Sequence, residues 1–240
     1  MSVVPTEIVE DLAPTDVLRA TVTVGNRLLV QGPPEEPTGV TVDIAHELGA
    51  RLGIPVELVR CRSVPDALEA TRSGQADICF MGIDPAREVE IAFTTPYVVV
   101  ESVYVVPRDS SIAAVADVDR AGVRIGVLRN SSQDLYLSRT IRHASLVRGD
   151  SGVDVLREQG LEAAAGPRHV LTGFVTDNPG FRLVEGQFLQ VRQAVGTTRA
   201  RSSKTVEFLT SVIEELKARG FIADAIRRAN SPDLTVAPAG

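Results

Sequence analysis

The side chains able to do chemistry are few and scattered along the chain. Asn130-Ser131-Ser132-Gln133 follows the strand-like run Val123-Arg-Ile-Gly-Val127 and opens a helical pattern. A helix start leaves backbone amides unpaired, and with two hydroxyls beside them these four residues make a site for an anion. Plain N-capping by Asn130 or Ser131 is the alternative, and both roles can hold at once. Glu101 stands inside Tyr97-Val-Val-Val-Glu-Ser-Val-Tyr-Val-Val106, the most hydrophobic segment. A carboxylate buried in such a strand needs a partner or must take up a proton. His46, His143 and His169 lack metal-ligand spacing, and there is no Ser-His-Asp arrangement and no P-loop. No catalytic residue, metal or cofactor is therefore assigned.

The bulk composition narrows the function classes further. The chain has 240 residues and a formal net charge of -6, which argues against a nucleic-acid partner because phosphate neutralisation needs a basic face. Aromatic content of 4% with no Trp leaves little to build a stacked-aromatic groove. Basic residues are nearly all Arg, the only lysines being Lys204 and Lys217. Cys61 and Cys79 make no disulfide framework and read as buried free thiols beside apolar runs. No apolar run reaches the ~18 residues of a membrane span, so no membrane insertion is expected. Met1–Arg19 has neither a basic start nor a continuous apolar stretch, so it does not read as a signal peptide. The expected location is extracytoplasmic if a native leader was removed, and cytoplasmic if Met1 is the true start.

The elements that must position these residues follow a β-α rhythm. Residues 1–18 read as a polar lead-in. Ala20–Gly25 alternates with a period of two, a strand signal, and a Pro-rich turn follows at residues 32–39. Ile44, Ala45, Leu48 and Leu52 make one helical stripe, stopped by Gly53 and Pro55. Val56–Val59 is a strand, Pro65–Ser73 a short helix, and Asp77–Met81 a third strand. Connections of helix length imply a parallel sheet, in which ligands bind beyond the carboxyl ends of the strands. A second rhythm runs from Val123 through a helix at Ser131–Ile141, a strand near Ser145–Val147, a helix at Val153–Glu158 and a short segment at Leu161–Ala165. Residues 166–176 look helical, Arg182–Val184 is a small strand, and Phe188–Val195 again reads as a strand. The end is helical, with Val206, Leu209, Ile213 and Leu216 on one face before Gly220, and a second short helix from Phe221.

Four stretches in order resemble the bacterial extracellular solute-binding proteins of family 3. They are Thr38 to Val59, Ala70-Thr-Arg-Ser-Gly-Gln-Ala-Asp-Ile78, Ile83-Asp-Pro-Ala-Arg-Glu-Val-Glu-Ile-Ala-Phe-Thr-Thr-Pro-Tyr97, and Gly126-Val-Leu-Arg-Asn-Ser-Ser-Gln-Asp134. The resemblance covers roughly residues 19–229. It implies an α/β, two-lobed periplasmic-binding-protein type II fold, each lobe a mainly parallel sheet flanked by helices, with two crossing strands at Tyr97–Val106 and Phe188–Val195. One lobe would be discontinuous, residues 1–105 plus 196–240, and the other 106–195. The ligand would sit between the lobes and be buried by hinge closure.

By motif position, Arg87 falls where the family's guanidinium grips a ligand carboxylate; the alternative is a surface Arg paired with Glu88 or Glu90. Phe80, Met81 and Gly82 match the strand end that lines the first-lobe pocket, with a core role for Phe80 as the alternative. Asn26 follows the first strand at a cleft-facing position, or merely caps its loop. Asn130, Ser131, Ser132 and Gln133 match the second lobe's ligand loop, and Gln193 is a weaker candidate. The sequence departs from amino-acid binders at Leu161–His169, where the acid that takes the ligand's ammonium group has become Gly166 or Pro167. Arg168 beside it would favour a second anionic group, or points to solvent. Glu101 would replace the missing acid if it faces the cleft, or serve as a structural hinge residue.

The resemblance thus implies a non-catalytic, monomeric receptor for a small organic acid or amino-acid-like carboxylate, working with an ABC transporter permease. A cytoplasmic ligand sensor or carrier of the same fold is one alternative. A cyclohexadienyl dehydratase-like enzyme is another, since those enzymes share the fold, but Glu101 does not fit that family's acid pattern.

Overall fold

The computed structural model describes residues 4–24, Asn26 and residues 28–240. The Gly25 end of the first expected strand lies outside the described residues. In chain order, the first elements are α1 (Thr6–Leu12), β1 (Leu18–Thr23), α2 (Val40–Leu52), β2 (Val56–Cys61), α3 (Val64–Arg72), β3 (Cys79–Gly82), α4 (Pro85–Glu88), β4 (Ile91–Phe93) and β5 (Val98–Pro107). Then come β6 (Arg124–Leu128), α5 (Ser132–Thr140), β7 (Ser145–Gly149), α6 (Gly152–Gln159), β8 (Ala163–Pro167), α7 (Arg168–Asp177) and β9 (Phe181–Leu183). The chain ends with β10 (Leu189–Thr198), α8 (Ser203–Ala218), α9 (Phe221–Arg228) and β11 (Leu234–Val236). These elements form two compact units, one taking in the chain up to Val99 and again from Arg192, the other Val100–Val191.

In the first unit β1 and β2 run parallel, Leu18–Thr23 beside Val56–Cys61, because α2 carries the chain back to the same sheet edge. A parallel bridge from Ala20 to Ile78 continues the order to the start of β3, and β10 returns antiparallel to β3 with Gln193 opposite Gly82. Asp77 locks this sheet from beneath. Its fully buried carboxylate accepts from Arg19 Nη2 at 2.7 Å, Arg19 Nε at 3.0 Å and the Arg19 amide at 2.9 Å. The Pro-rich turn is a hairpin tip closed by a Gln31–Thr38 bridge.

In the second unit β6 is central, with β7 parallel on one side and β8 parallel on the other. β5 lies antiparallel to β8, with Ser102 opposite Pro167. Tyr104 and Val106 of β5 join one core with Ile125, Val127 and Leu137, while Val103 and Val105 join another with Leu156 and Leu171. Burial on both faces is why this strand reads as an unbroken apolar run. Gly126 lets α6 approach the sheet, since a Cβ there would stand 2.3 Å from the Gly152 carbonyl.

Three local expectations need correction. Residues 1–18 are not merely a lead-in: α1 buries Ile8 and Leu12. It is tied to the start of α8, where Asp11 accepts from the Ser202 amide at 2.9 Å and Thr205 Oγ1 at 2.5 Å. The segment at 161–165 is a strand running on to Pro167, and the helix begins only at Arg168. Gly166 and Pro167 finish β8 in extended backbone, which the Pro favours for its neighbour.

Burial pulls the Asp11 carboxyl upward, but hydrogen bonds from Thr205 and Ser202 outweigh it and hold it below the usual range. A lowered folded pKa gives stability that is present above the unfolded value and lost as pH falls through the folded one. Asp11→Ala should therefore cost about 1 kcal/mol near neutrality. The gap between the two urea midpoints should close in acid.

Candidate functional site

Of the residues singled out in the first unit, Phe80, Met81, Gly82 and Arg87 lie at the carboxyl end of β3. Phe80 and Met81 are both buried, with Met81 inside a cluster of Cys61, Ala67, Cys79 and Ile91. Phe80 packs edge-on against Tyr97, ring centroids 6.0 Å apart. Gly82 ends the strand, and its carbonyl accepts a 2.8 Å bond from Arg87 Nη1. Asp84 turns the chain here: its side chain accepts from the Ala86 amide at 2.9 Å and caps α4, with Pro85 in the first turn. Arg87 is only 4% exposed, so it is not the surface residue that pairing with Glu88 or Glu90 would make it. Burial pushes its guanidinium pKa down, and the nearby Asp84 carboxylate and Cys79 oppose that shift. Asn26 forms a tight turn after β1, its carbonyl accepting from the Leu29 amide at 3.0 Å and the Val30 amide at 2.8 Å.

In the second unit the expected turn follows β6. Asn130 adopts a left-handed φ of 57°, a conformation Asn tolerates better than most residues. Its amide donates to Asp134 Oδ2 at 2.9 Å, while Ser131 Oγ accepts from the Asp134 amide at 3.1 Å. Ser131 is thus the N-cap, and Ser132 is the first helical residue of α5. Gln133 points its side chain inward: Nε2 donates to Ser102 Oγ at 2.8 Å, and both residues are buried. The anchor of this turn is Asp134, which is 3% exposed and also accepts from Arg148 Nε at 2.8 Å and Ser138 Oγ at 3.2 Å. It was not singled out from the sequence, although Ser131-x-x-Asp134 carries the spacing of a capping box.

At the end of β8 the structure joins two expectations. Glu101 is not a buried carboxylate, because its side chain is 42% exposed. It does have a partner: Arg168 Nε donates to Glu101 Oε2 at 2.5 Å, and Arg168 Nη2 donates to the Gly186 carbonyl at 3.1 Å. Arg168 is therefore engaged within the protein and does not simply point to solvent. Gln193 lies on β10 opposite Gly82, its carbonyl accepting from the Tyr97 amide. Among the described residues no group of three or more His, Cys, Asp or Glu side chains could hold a metal ion, and no helix is long and apolar enough to cross a membrane.

Arg87 in the first unit, and the 130–134 turn and Arg168 in the second, follow the carboxyl ends of β3, β6 and β8, the position where open α/β sheets bind ligands. The first offers a desolvated guanidinium, the second a turn of amides and hydroxyls and an ion pair. Asp134→Ala should lower stability by about 2 kcal/mol, since it leaves buried donors unmet. Ser131→Ala should cost about 1 kcal/mol, the worth of an N-cap. Urea unfolding checks the order of the two.

Residues 29–229 match the bacterial extracellular solute-binding proteins, family 3. Among curated proteins, the chain is 28% identical over 124 residues to the virulence sensor protein BvgS of Bordetella bronchiseptica; this covers 51% of the chain and 10% of BvgS. The chain thus spans about a tenth of the length of the curated relatives it matches. Among solved structures, it is similar to the amino acid ABC transporter substrate-binding protein AbpA of Streptococcus pneumoniae bound to L-arginine, with a TM-score of 0.74, 20% identity and coverage of 94% of this chain and 99% of that one. It is equally similar to the periplasmic VFT2 domain of Bordetella pertussis BvgS, with a TM-score of 0.75, 19% identity and coverage of 93% and 97%. The fold is that of the two-lobed periplasmic binding proteins, and the chain belongs to the bacterial extracellular solute-binding proteins of family 3.

Proposed function

We propose that this protein is a non-catalytic receptor for a small carboxylate, an organic acid or amino-acid-like solute, gripped through its carboxylate by Arg87. The observation that carries this reading is the burial of Arg87 at the end of β3, oriented by the Gly82 carbonyl. A guanidinium taken out of water is penalised for its charge, and a carboxylate offsets that penalty through a bidentate, charge-assisted pair. A lysine would not present the same planar fork. Phe80, in the same unit, belongs to the same proposal as an apolar contact for the solute; the Asn130–Ser132 turn is proposed by itself as a polar site of the second unit. The arginine bound by the similar AbpA supports a ligand of this class. The family's description as extracellular supports work outside the cytoplasm.

We place the protein with an ABC importer, as its solute receptor. A second reading is favoured by the BvgS matches: the chain serves as the ligand-sensing module of a signalling system. Deleting the gene separates the two. Loss of uptake of a labelled solute supports the importer role, whereas unchanged uptake with altered transcription supports the sensor.

The carboxylate grip is tested by a thermal-shift screen of monocarboxylates, dicarboxylates, keto acids and amino acids, followed by calorimetry. A ligand that binds only the folded state raises the melting temperature. Arg87→Ala should fold and lose about 2 kcal/mol or more of binding, some 30-fold in Kd. Unchanged affinity in the variant would overturn the assignment.

A further inference from the structure

After α9, residues 231–240 run back over the first unit and are fastened at three places. Ser231 is buried; its Oγ donates to the Leu28 carbonyl at 3.0 Å and accepts from Gln31 Nε2 at 3.2 Å. β11 then pairs with β5, and the Ala237 amide donates to the Tyr97 carbonyl at 3.0 Å. Further along, the Pro238 carbonyl accepts from Lys217 Nζ of α8 at 2.8 Å. The Gly240 amide donates to both oxygens of Glu214, also on α8, at 3.4 Å each. Lys217 and Glu214 are themselves paired at 2.6 Å. Glu214 also accepts from Thr95 Oγ1, two residues before Tyr97.

We propose that residues 231–240 are a detachable strap across the start of β5, with the Lys217–Glu214 pair as its buckle. The strap is weakly held along its length, since Leu234 and Ala237 are its only buried apolar residues. A segment with so little apolar burial opens at a lower cost than the whole fold. The buckle is stronger. The Lys217 side chain is 5% exposed, and a buried ammonium needs its charge and its donors answered. Glu214 answers the charge and the Pro238 carbonyl takes a donor, while the Glu214 carboxylate takes the strap's Gly240 amide. The two charges thus hold the strap's peptide dipoles from opposite ends. Tyr97 lies two residues before Val99, where the chain leaves the first unit for the second. A fastened strap therefore stiffens the backbone at that crossing point, and a released one lets it bend. Burial pulls the Glu214 carboxyl upward, but Lys217, Thr95 and the Gly240 amide, the groups that face it, outweigh this and hold it below the usual range. The strength of the buckle is present above the ordinary carboxylate value and lost as pH falls through the lowered one, so acid releases the strap.

The test is hydrogen exchange read by mass spectrometry on the full chain, for the wild type, Glu214→Gln and Lys217→Met. Helices α2 and α6 serve as internal standards. Each variant removes a hydrogen bond to a charged group, so exchange should speed up by about tenfold or more over residues 233–240, and together with it over 97–100. The two standards should keep their wild-type rates. Lowering the pH through the carboxylate range should loosen the same two stretches in the wild type, after correction for the intrinsic exchange rate, and should do so far less in Glu214→Gln. The wild-type arm holds the test open even where a variant fails to fold. Loosening of 233–240 with 97–100 unchanged overturns the proposal, because the segment would then not restrain β5. Unchanged exchange at both stretches overturns it as well. So does a uniform rise that reaches α2 and α6, which would make the pair a general stabilising contact.

Discussion

A buried guanidinium must be held in place and must have its charge answered, and the arrangement around Arg87 meets both needs. The Gly82 carbonyl fixes one end of the fork. The Asp84-capped turn brings the arginine back over the strand it has just left. That geometry depends on β3 ending at Gly82, which in turn depends on the parallel sheet locked by Asp77 and Arg19.

The second unit solves a different problem with neutral donors. Its turn after β6 is fixed by Asp134, which takes up the Asn130 amide and is itself held by Arg148. Gln133, expected to touch ligand, is committed to Ser102 at the start of the unit. Ser131 and Gln133 are thus both committed within the unit, one as the N-cap of α5 and the other to Ser102. The nearby Glu101–Arg168 pair is net neutral, and this is why a preference for a dianionic solute does not follow from the extra arginine alone.

Much of the fold could be read from residues because it rests on periodicity. The β-α alternation, the parallel pairing and the doubly buried β5 all follow from spacing and apolar runs. Among the elements that escaped, two did so for identifiable reasons. α1 buries only Ile8 and Leu12, a single i, i+4 pair in a polar stretch. β8 is Ala163-Ala-Ala-Gly-Pro167, without the β-branched residues that mark a strand. At the candidate site, Arg87 and the 130–133 turn were visible from motif and helix-start chemistry. What stayed hidden was pairing across the chain: Gln133 with Ser102, 31 positions away, and Arg168 with Glu101, 67 positions away. No local pattern encodes such partners; the strand register does.

The central claim is that Arg87 itself meets the solute's carboxylate. The most direct measurement is guanidinium NMR on protein labelled with ¹⁵N-arginine, with the Arg87 Nε–H signal assigned by its loss in Arg87→Lys. Titration with the carboxylate that gives the largest thermal shift should move that signal downfield as the charge-assisted bond forms, saturating with the same Kd that calorimetry gives. A saturable calorimetric isotherm with a stationary Arg87 signal would contradict the account, because the solute would then be held by some other group.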